Sequence, residues 1–178
     1  MKRLIIYNLE TNLDSHVLAA AHDWVESFAN QAAEVVVYST HVGAHSLPGN
    51  VEVNEIGGGS PRKKVIAIFR LIWSAIKEIP NCKDLIVFHH MSTRSLLITG
   101  LIYRSMGVKQ GLWYSHSKKS ISLKISHIFA NKIFTSTSNA IPISSPKISF
   151  VGHGLKTQRF LNRISTSPRS RSGVVAVG

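Results

Sequence analysis

The sequence predicts an α/β fold in which helices cover both faces of a doubly wound, mostly parallel β-sheet. Two observations carry this prediction. Short apolar segments of strand length alternate along the chain with longer segments whose apolar residues recur at helical spacing. Most of the short segments are rich in Val and Ile without clear alternation of polar residues, as in strands buried on both sides. The short connections between segments fit a Rossmann-like arrangement.

The predicted elements follow one another in a regular order. Strands are predicted at 3–9, 34–39, 51–56, 84–89, 109–115 and 132–136. Helices are predicted at 16–30, 63–79, 92–106 and 120–130. The segment 51–56 alternates between polar and apolar residues, so this strand should lie near a sheet edge. A further apolar segment begins at Ile148 and ends at Gly152 and Gly154, where the backbone can turn sharply.

Composition indicates one folded domain that attracts anions. The chain has 178 residues, of which 44% are hydrophobic and 17% charged, which is enough for a single buried core. Its 21 Lys and Arg residues outnumber 9 Asp and Glu residues, giving a formal net charge of +12. Nucleic acid, an anionic membrane surface and phosphorylated small molecules all fit this charge, which alone does not choose among them.

Cysteine content and hydropathy indicate a cytoplasmic protein. Cys82 is the single cysteine, so the chain can form neither an internal disulfide nor a cysteine zinc site. The apolar run that follows Lys2 and Arg3 ends after a strand's length, which argues against a signal peptide. No apolar stretch reaches the roughly 18 residues that a spanning helix needs, so we expect any membrane contact to be peripheral, at the inner face.

The helix predicted at 63–79 allows two interpretations. Its large apolar residues are Phe69, Ile72, Trp73 and Ile76, and Lys and Arg are interleaved with them. This pattern suits a helix that lies on anionic lipid, but a helix packed against the sheet has a similar pattern. We favour packing against the sheet, with the basic edge still able to contact lipid head groups.

Polar residues that follow the predicted strands are the candidates for a binding site, because ligands of doubly wound sheets bind outside the carboxyl ends of the strands. Glu10, Thr11 and Asn12 follow the first strand, and Asn12 is a candidate substrate contact. No glycine occurs between residues 1 and 41, so the GxGxxG loop of dinucleotide binders is missing. The glycines at 57–59 are interpreted as a flexible connector.

His89 and His90 follow a buried strand, so one or both rings should face the crevice at its end. Adjacent residues of an extended backbone point to opposite sides, and no neighbouring carboxylate or thiol pattern completes a metal site. We therefore expect no metal here. Each histidine either belongs to the core or contacts a sugar or phosphate, and the sequence favours neither interpretation.

The end of the strand at 109–115 carries the strongest signal for a binding site. There a buried strand runs directly into Ser115, His116, Lys118 and Lys119. A histidine in this position can donate a hydrogen bond to a sugar hydroxyl or a phosphate, and the lysines offer cations to an anionic group. The strand-end position with adjacent lysines favours a functional role over a core role for His116.

Four segments carry a resemblance to a known enzyme family. They are LIVFHH, WYSHSKKS, ISHIFANKIFTSTSNA and KISFVGHGLKTQRF, within about residues 84–160. In this order they resemble the amino-terminal domain of GT-B-fold glycosyltransferases, specifically the large retaining family with a subfamily-four-like amino-terminal domain. Two features depart from that family: Glu10, Thr11 and Asn12 replace its glycine-rich loop, and His153 replaces the Asn of its Asn-Gly pair.

The resemblance implies transfer of a sugar from a nucleotide-sugar donor to an acceptor held by this domain, with retention of configuration and without a metal. The donor is a substrate, no cofactor is implied, and the acceptor would be a saccharide or a lipid-linked molecule. His116 matches a strand-end histidine near the reacting sugar, which implies a substrate-contacting and catalytic role. Lys118 would make a weaker contact, and Gly154 matches the glycine of the turn before the interdomain link.

The resemblance also divides the chain into an acceptor-side domain at 1–165, a polar linker at 166–172 and the first strand of a donor-binding domain at 173–178. In relatives the rest of that domain binds the nucleotide, so we expect the isolated chain to be inactive unless a separate chain supplies it. The alternatives are a non-catalytic remnant, a partner-dependent subunit, or a basic nucleic-acid-binding module. The missing aromatic RNA-binding signature makes nucleic acid the less favoured partner.

Overall fold

A computed structural model of the protein describes residues 3–15, 19–58, 60–118 and 120–152. Within these ranges the chain forms a parallel sheet with helices on both faces, which confirms the predicted fold class. The predicted linker at 166–172, the predicted start of a second domain at 173–178, and the candidates Lys119 and Gly154 lie outside the described residues.

The described residues contain seven parallel strands in one sheet. They are β1 (Arg3–Thr11), β2 (Glu34–Val42), β3 (Val51–Glu55), β4 (Leu85–His90), β5 (Lys109–Trp113), β6 (Lys132–Thr135) and β7 (Ile148–Phe150). Their order across the sheet is β3-β2-β1-β4-β5-β6-β7, and every neighbouring pair is parallel. The alternating segment, β3, lies at an edge as predicted.

The strands are connected largely by helices. These are α1 (Ala19–Ala29), α2 (Pro61–Ile76), α3 (Thr93–Ser105) and α4 (Ile121–Phe129), with short 3-10 helices at Ile79–Asp84 and Ser138–Ala140. Ser60, Ser92 and Ser120 each accept a hydrogen bond from the backbone N–H three residues later, which fixes the starts of α2, α3 and α4. None of the described helices combines the length and the apolar character needed to cross a membrane.

The core is divided by the sheet into two sides because consecutive strand residues face opposite directions. Helix α1 covers one side, where the buried residues include Leu4, Ile6, Val25, Val37 and Phe88. Helices α2, α3 and α4 cover the other side, where the buried residues include Ile5, Tyr7, Leu71, Tyr103 and Leu123.

Helix α2 packs against the sheet, but not through its largest residues. Its small or medium residues Ala67, Leu71 and Ala75 face the core, whereas Phe69 and Trp73 are each 67% exposed. Small side chains let the helix approach the sheet closely, so the large ones remain outside. The favoured interpretation, packing of this helix against the sheet, is therefore confirmed, although Phe69, Trp73 and Ile76 are exposed and do not contribute to that contact.

Helix α2 also ends at Ile76, three residues before the predicted end, and a 3-10 helix containing Pro80 follows. Beyond the helix, the carboxylate of Glu78 is buried and lies 2.7 Å from the guanidinium Nε of Arg3. Arg3 also pairs with Glu34. This ion-pair group ties the start of β1 to the end of α2, at the sheet edge opposite the candidate residues.

Candidate functional site

The carboxyl ends of the strands form one edge of the sheet, and the candidate residues lie along it. Since all the strands are parallel, the segments that follow β1, β4, β5 and β6 emerge at this same edge. The chain leaves β1 for α1 on one face and leaves β4 for α3 on the other, and these two strands are neighbours. A crevice at such a switch point is where ligands bind in open α/β sheets.

His89 is fully buried on the α2–α4 side of the sheet. Its Nδ1 forms a 2.8 Å hydrogen bond with the hydroxyl of Ser95, and its ring stacks on Tyr7 with 5.0 Å between centroids. Burial lowers the pKa of His89 to about 3, although the side chain of Gln110 favours the protonated ring. His89 is therefore neutral at physiological pH and is held by protein groups.

His90 points to the opposite side of the sheet, as predicted for adjacent strand residues. Its Nδ1 donates a 2.9 Å hydrogen bond to Oδ1 of Asn8, and its ring packs against Trp24 with 5.0 Å between centroids. His90 is only 9% exposed, and burial lowers its pKa to about 4. Neither histidine faces an open crevice, contrary to expectation, because packing and hydrogen bonds cover both rings.

Asn12 organises the turn after β1. Its Oδ1 accepts a hydrogen bond from the backbone N–H of Asp14, and its Nδ2 donates to the carboxylate of Glu10. Its side chain also lies so close to Gly43 that a Cβ at that position would collide with it. These contacts give Asn12 a local structural role, and its contact with a substrate stays a prediction.

His116 lies on the exposed segment after β5. Its Nδ1 accepts a hydrogen bond from the backbone N–H of Lys118 at 3.1 Å. A ring nitrogen that accepts carries no proton, so in the neutral ring the proton is on Nε2. The backbone carbonyl of Lys118 in turn accepts a hydrogen bond from the Tyr114 hydroxyl at 3.3 Å. The segment thus holds an exposed imidazole whose Nε2–H can donate to a ligand.

Ser115 connects the ends of two neighbouring strands. Its hydroxyl lies 2.7 Å from the hydroxyl of Ser136, which directly follows β6. One of these hydroxyls donates to the other, so the receiving oxygen keeps its own proton for another acceptor. The half-buried Ser115 and the exposed His116 and Lys118 therefore occupy one stretch at the β5 end of the edge, apart from the covered histidines of β4.

A cavity of about 200 Å³ opens at the crevice between α2 and α3, and sequence analysis did not identify it. Its lining includes Lys64 and Arg94 but no Asp or Glu, together with Gly57 and Gly58. Gly57 and Gly58, part of the predicted connector, thus line this cavity. The signal that could have identified the cavity is a cation in the first turns of helices that follow parallel strands.

The chemistry of this cavity suits an anionic group. Two cations and the amino-terminal end of α3 contribute positive potential, and the hydroxyl-bearing Ser92 and Ser95 also line it. His116 is not among its lining residues. The edge therefore offers two distinct polar regions, a cationic cavity near β1 and an exposed histidine segment near β5.

A separate apolar groove of about 480 Å³ lies on the α1 side of the sheet. Phe88, Trp113 and Phe134 contribute to its wall, and none of the residues predicted to bind substrate lines it. Its apolar character is that of an uncovered part of the sheet face rather than of a site for sugar or phosphate.

One group of potential metal ligands lies on α1. His22, Asp23 and Glu26 offer ligand atoms within 4.8 Å of one another. However, Nε2 of His22 already accepts a hydrogen bond from the backbone N–H of Ser46 at 3.2 Å. The group lies on one helical turn, was not predicted from the sequence, and gives no further indication of a ligand.

Several solved structures share the fold of this chain. MurG of Acinetobacter baumannii superimposes with a TM-score of 0.59 at 14% sequence identity, over 94% of this chain and 50% of that chain. The UDP-GlcNAc 2-epimerase of Methanocaldococcus jannaschii, in complex with UDP-GlcNAc and UDP, superimposes with a TM-score of 0.61 at 14% identity, over 94% of this chain and 51% of that chain. The lipopolysaccharide outer core galactosyltransferase WaaB superimposes with a TM-score of 0.55 at 10% identity, over 84% of this chain and 45% of that chain.

These likenesses concern the fold. The chain spans about half the length of these solved structures. No protein-family profile and no curated protein matches the sequence. At such low identity the similarity establishes a GT-B-type, Rossmann-like domain, shared by glycosyltransferases and UDP-GlcNAc 2-epimerases.

Proposed function

We propose that this chain is the acceptor-side half of a glycosyltransferase, which acts when a donor-binding domain completes it. The observation that carries the proposal is the carboxyl edge of the sheet, where a cationic cavity opens at the switch-point crevice and an exposed histidine segment follows β5. Support comes from the fold, since MurG and WaaB share it over 94% and 84% of this chain. The acceptor is a saccharide or a lipid-linked molecule.

His116 is the proposed catalytic residue. With Nδ1 engaged by the backbone N–H of Lys118, the Nε2–H donates to a hydroxyl or phosphate oxygen of the reacting sugar. The ammonium of Lys118 and the hydroxyl of Ser115 would contact the same substrate. Lys119 is the fourth proposed contact in this segment and lies outside the described residues.

The cationic cavity is the proposed position for a phosphate of the acceptor. Lys64 and Arg94 would neutralise that charge, and the absence of carboxylates from the lining avoids repulsion. His89 and His90 would then support the crevice floor from beneath, since their ring contacts are with protein groups. The proposed reaction retains the configuration of the sugar and uses no metal.

The donor nucleotide needs groups that a second domain supplies, either on the same polypeptide or on a separate chain. The test measures transfer of labelled sugar from a panel of UDP-sugars to saccharide and lipid-linked acceptors. It compares the chain alone with the chain fused to the carboxyl-terminal domain of a GT-B glycosyltransferase. We expect transfer only by the fused form, and a decrease of at least roughly tenfold for His116→Ala.

His45→Ala is the matched control, because His45 is also exposed and its Nδ1 also bonds locally, to the carbonyl of Gly43. This control should retain transfer. Absence of transfer in both forms, with both folded, would contradict the proposal and favour a non-catalytic remnant. Salt-sensitive binding of plain duplex or single-stranded nucleic acid, again without transfer, would instead favour the nucleic-acid-binding alternative.

A further inference from the structure

The three helices on one side of the sheet carry no negative charge. Helices α2, α3 and α4 contain seven Lys and Arg residues and no Asp or Glu, and all seven are exposed. Helix α1, on the opposite side, shows the reverse, with Asp23 and Glu26 and no Lys or Arg. Half of the 14 Lys and Arg among the described residues therefore lie on these three helices, without a carboxylate among them. We term the outer side of α2, α3 and α4 the helical face.

The helical face is also apolar to an unusual degree. Nine large apolar side chains of these helices are exposed, among them Phe69, Trp73, Leu101 and Ile121, whose exposed fraction reaches 77%. On α2 most of these residues recur every three or four positions, and on α4 Ile121 is followed at the same spacing by Ile125 and Ile128. Isolated exposed apolar residues are ordinary, but nine of them on three neighbouring helices indicate an interaction surface.

The helices form one continuous surface. Helix α3 contacts α2 on one side and α4 on the other, so their outer sides are adjacent. Two of the cations are positioned by backbone carbonyls: Arg70 donates to the carbonyl of Ile56, after β3, and Arg104 to that of Ile128 on α4, each at 2.9 Å. The guanidinium of Arg104 is thus held next to an exposed apolar residue.

This combination fits a bilayer with anionic head groups better than the other anionic partners. Nucleic acid would engage the cations but leave Phe69, Trp73 and Ile121 without contacts. The centre of a protein interface is depleted of Lys, whereas here the basic residues are distributed among the apolar ones. A lipid surface uses both classes, because apolar side chains enter the acyl boundary while long basic chains extend to the phosphates.

We propose that the helical face is a docking surface for an anionic phospholipid bilayer. Phe69, Trp73 and Ile121 insert between head groups, and the flanking Lys and Arg side chains bind lipid phosphates. The starts of α2, α3 and α4 lie at the carboxyl edge of the sheet, so docking sets the crevice beside the lipid surface. Docking itself does not depend on the proposed sugar transfer.

The test is co-sedimentation of the full chain with phosphatidylcholine vesicles, with and without phosphatidylglycerol. We expect binding that requires the anionic lipid and decreases as salt is raised. The double variant Lys63→Glu with Lys64→Glu should bind at least roughly tenfold more weakly. Its matched control is Lys109→Glu with Lys132→Glu, which gives the same net charge. Both of these lysines are exposed and line the groove on the α1 side.

The apolar contribution is tested by Phe69→Ser with Trp73→Ser, which should weaken binding at high salt. Phe150→Ser is the control, because Phe150 is 61% exposed on β7, outside the helical face. All four variants change exposed residues, so circular dichroism should show an unchanged fold. Equal loss in test and control variants, or equal binding to neutral vesicles, would overturn the proposal. Loss of sugar transfer in solution, with vesicle binding intact, would concern the proposed function alone.

Discussion

The two halves of the carboxyl edge use histidine in opposite ways. At the end of β4, His89 and His90 are covered and hydrogen-bonded to Ser95 and Asn8, and their rings pack against Tyr7 and Trp24. After β5, His116 is exposed and its ring bonds only locally, to the backbone of Lys118, within the part of the chain that the structure describes. Histidine thus contributes to packing in one half of the edge and is available to contact a ligand in the other.

The difference teaches that the strand-end position alone does not identify a functional histidine. What distinguishes the two halves is the number of protein groups that already satisfy the ring. The buried pair lies against both sides of the sheet centre, where β1 and neighbouring helices surround it. The β5 end lies further along the sheet, where the chain extends before α4 begins. We therefore expect changes in the first half to affect stability and changes in the second to affect function.

The largest expected effect is loss of stability in acid. Folding lowers the pKa of His89 to about 3 and of His90 to about 4, below the unfolded value of about 6.5. The unfolded chain therefore binds more protons between these values. Stability is fully present above about pH 6.5 and decreases as the pH falls, by about 6 kcal/mol for the pair at pH 4.

Urea unfolding at a series of pH values from 7 to about 4 measures this slope. His90→Gln should flatten it, because Gln does not titrate, whereas His116→Gln should leave it as it is. A free energy of unfolding that stays constant or rises toward low pH in the unmodified chain would contradict the proposed difference between the β4 end and the β5 end of the carboxyl edge.

The second effect is a difference in stability at neutral pH. His90→Ala removes a ring packed on Trp24 and leaves Oδ1 of Asn8 without this donor, so we expect a loss of about 2 to 3 kcal/mol. The matched change His116→Ala should alter stability by less than about 0.5 kcal/mol, because that ring is exposed. Thermal or urea unfolding compares the two, and equal losses would contradict the contrast.

The smallest effect concerns the hydroxyl pair at the ends of β5 and β6. Ser115→Ala removes the 2.7 Å hydrogen bond to Ser136 and should cost about 1 kcal/mol. Ser117→Ala is the control, since Ser117 is exposed on the same segment, and should cost less than about 0.5 kcal/mol. A loss for Ser115→Ala that matches that of His90→Ala would show that the β5 end is as tightly built as the β4 end.

Much of this fold could be predicted because most of its strands are apolar without alternation, a local signal that the structure confirms. Ser60, Ser92 and Ser120, which cap the starts of three helices, are likewise local features. The inward side of α2 was not predictable in the same way. Ala67 and Ala75 face the sheet because of close approach between helix and sheet, a tertiary property that the apolar pattern of one helix does not contain.

The candidate site was only partly predictable for a similar reason. The exposure of His116 follows from its place after a strand, which sequence indicates. The burial of His89 and His90 depends on Ser95, Trp24 and other groups distant in sequence. The cationic cavity combines residues from β1, α2 and α3, and its cations stand in helices whose neighbours only the folded chain brings together.

The strand order has a consequence for how the chain is made. Strand β1 ends at Thr11, but its second neighbour, β4, begins at Leu85, about 70 residues later. A ribosome adds roughly 5 to 20 residues each second, so β1 waits roughly 4 to 15 seconds for that neighbour. During this interval β1 can pair with β2, while its other edge offers unpaired backbone groups to any extended chain nearby. The emerging chain therefore passes through a period in which a chaperone that covers that edge would decide between folding and aggregation.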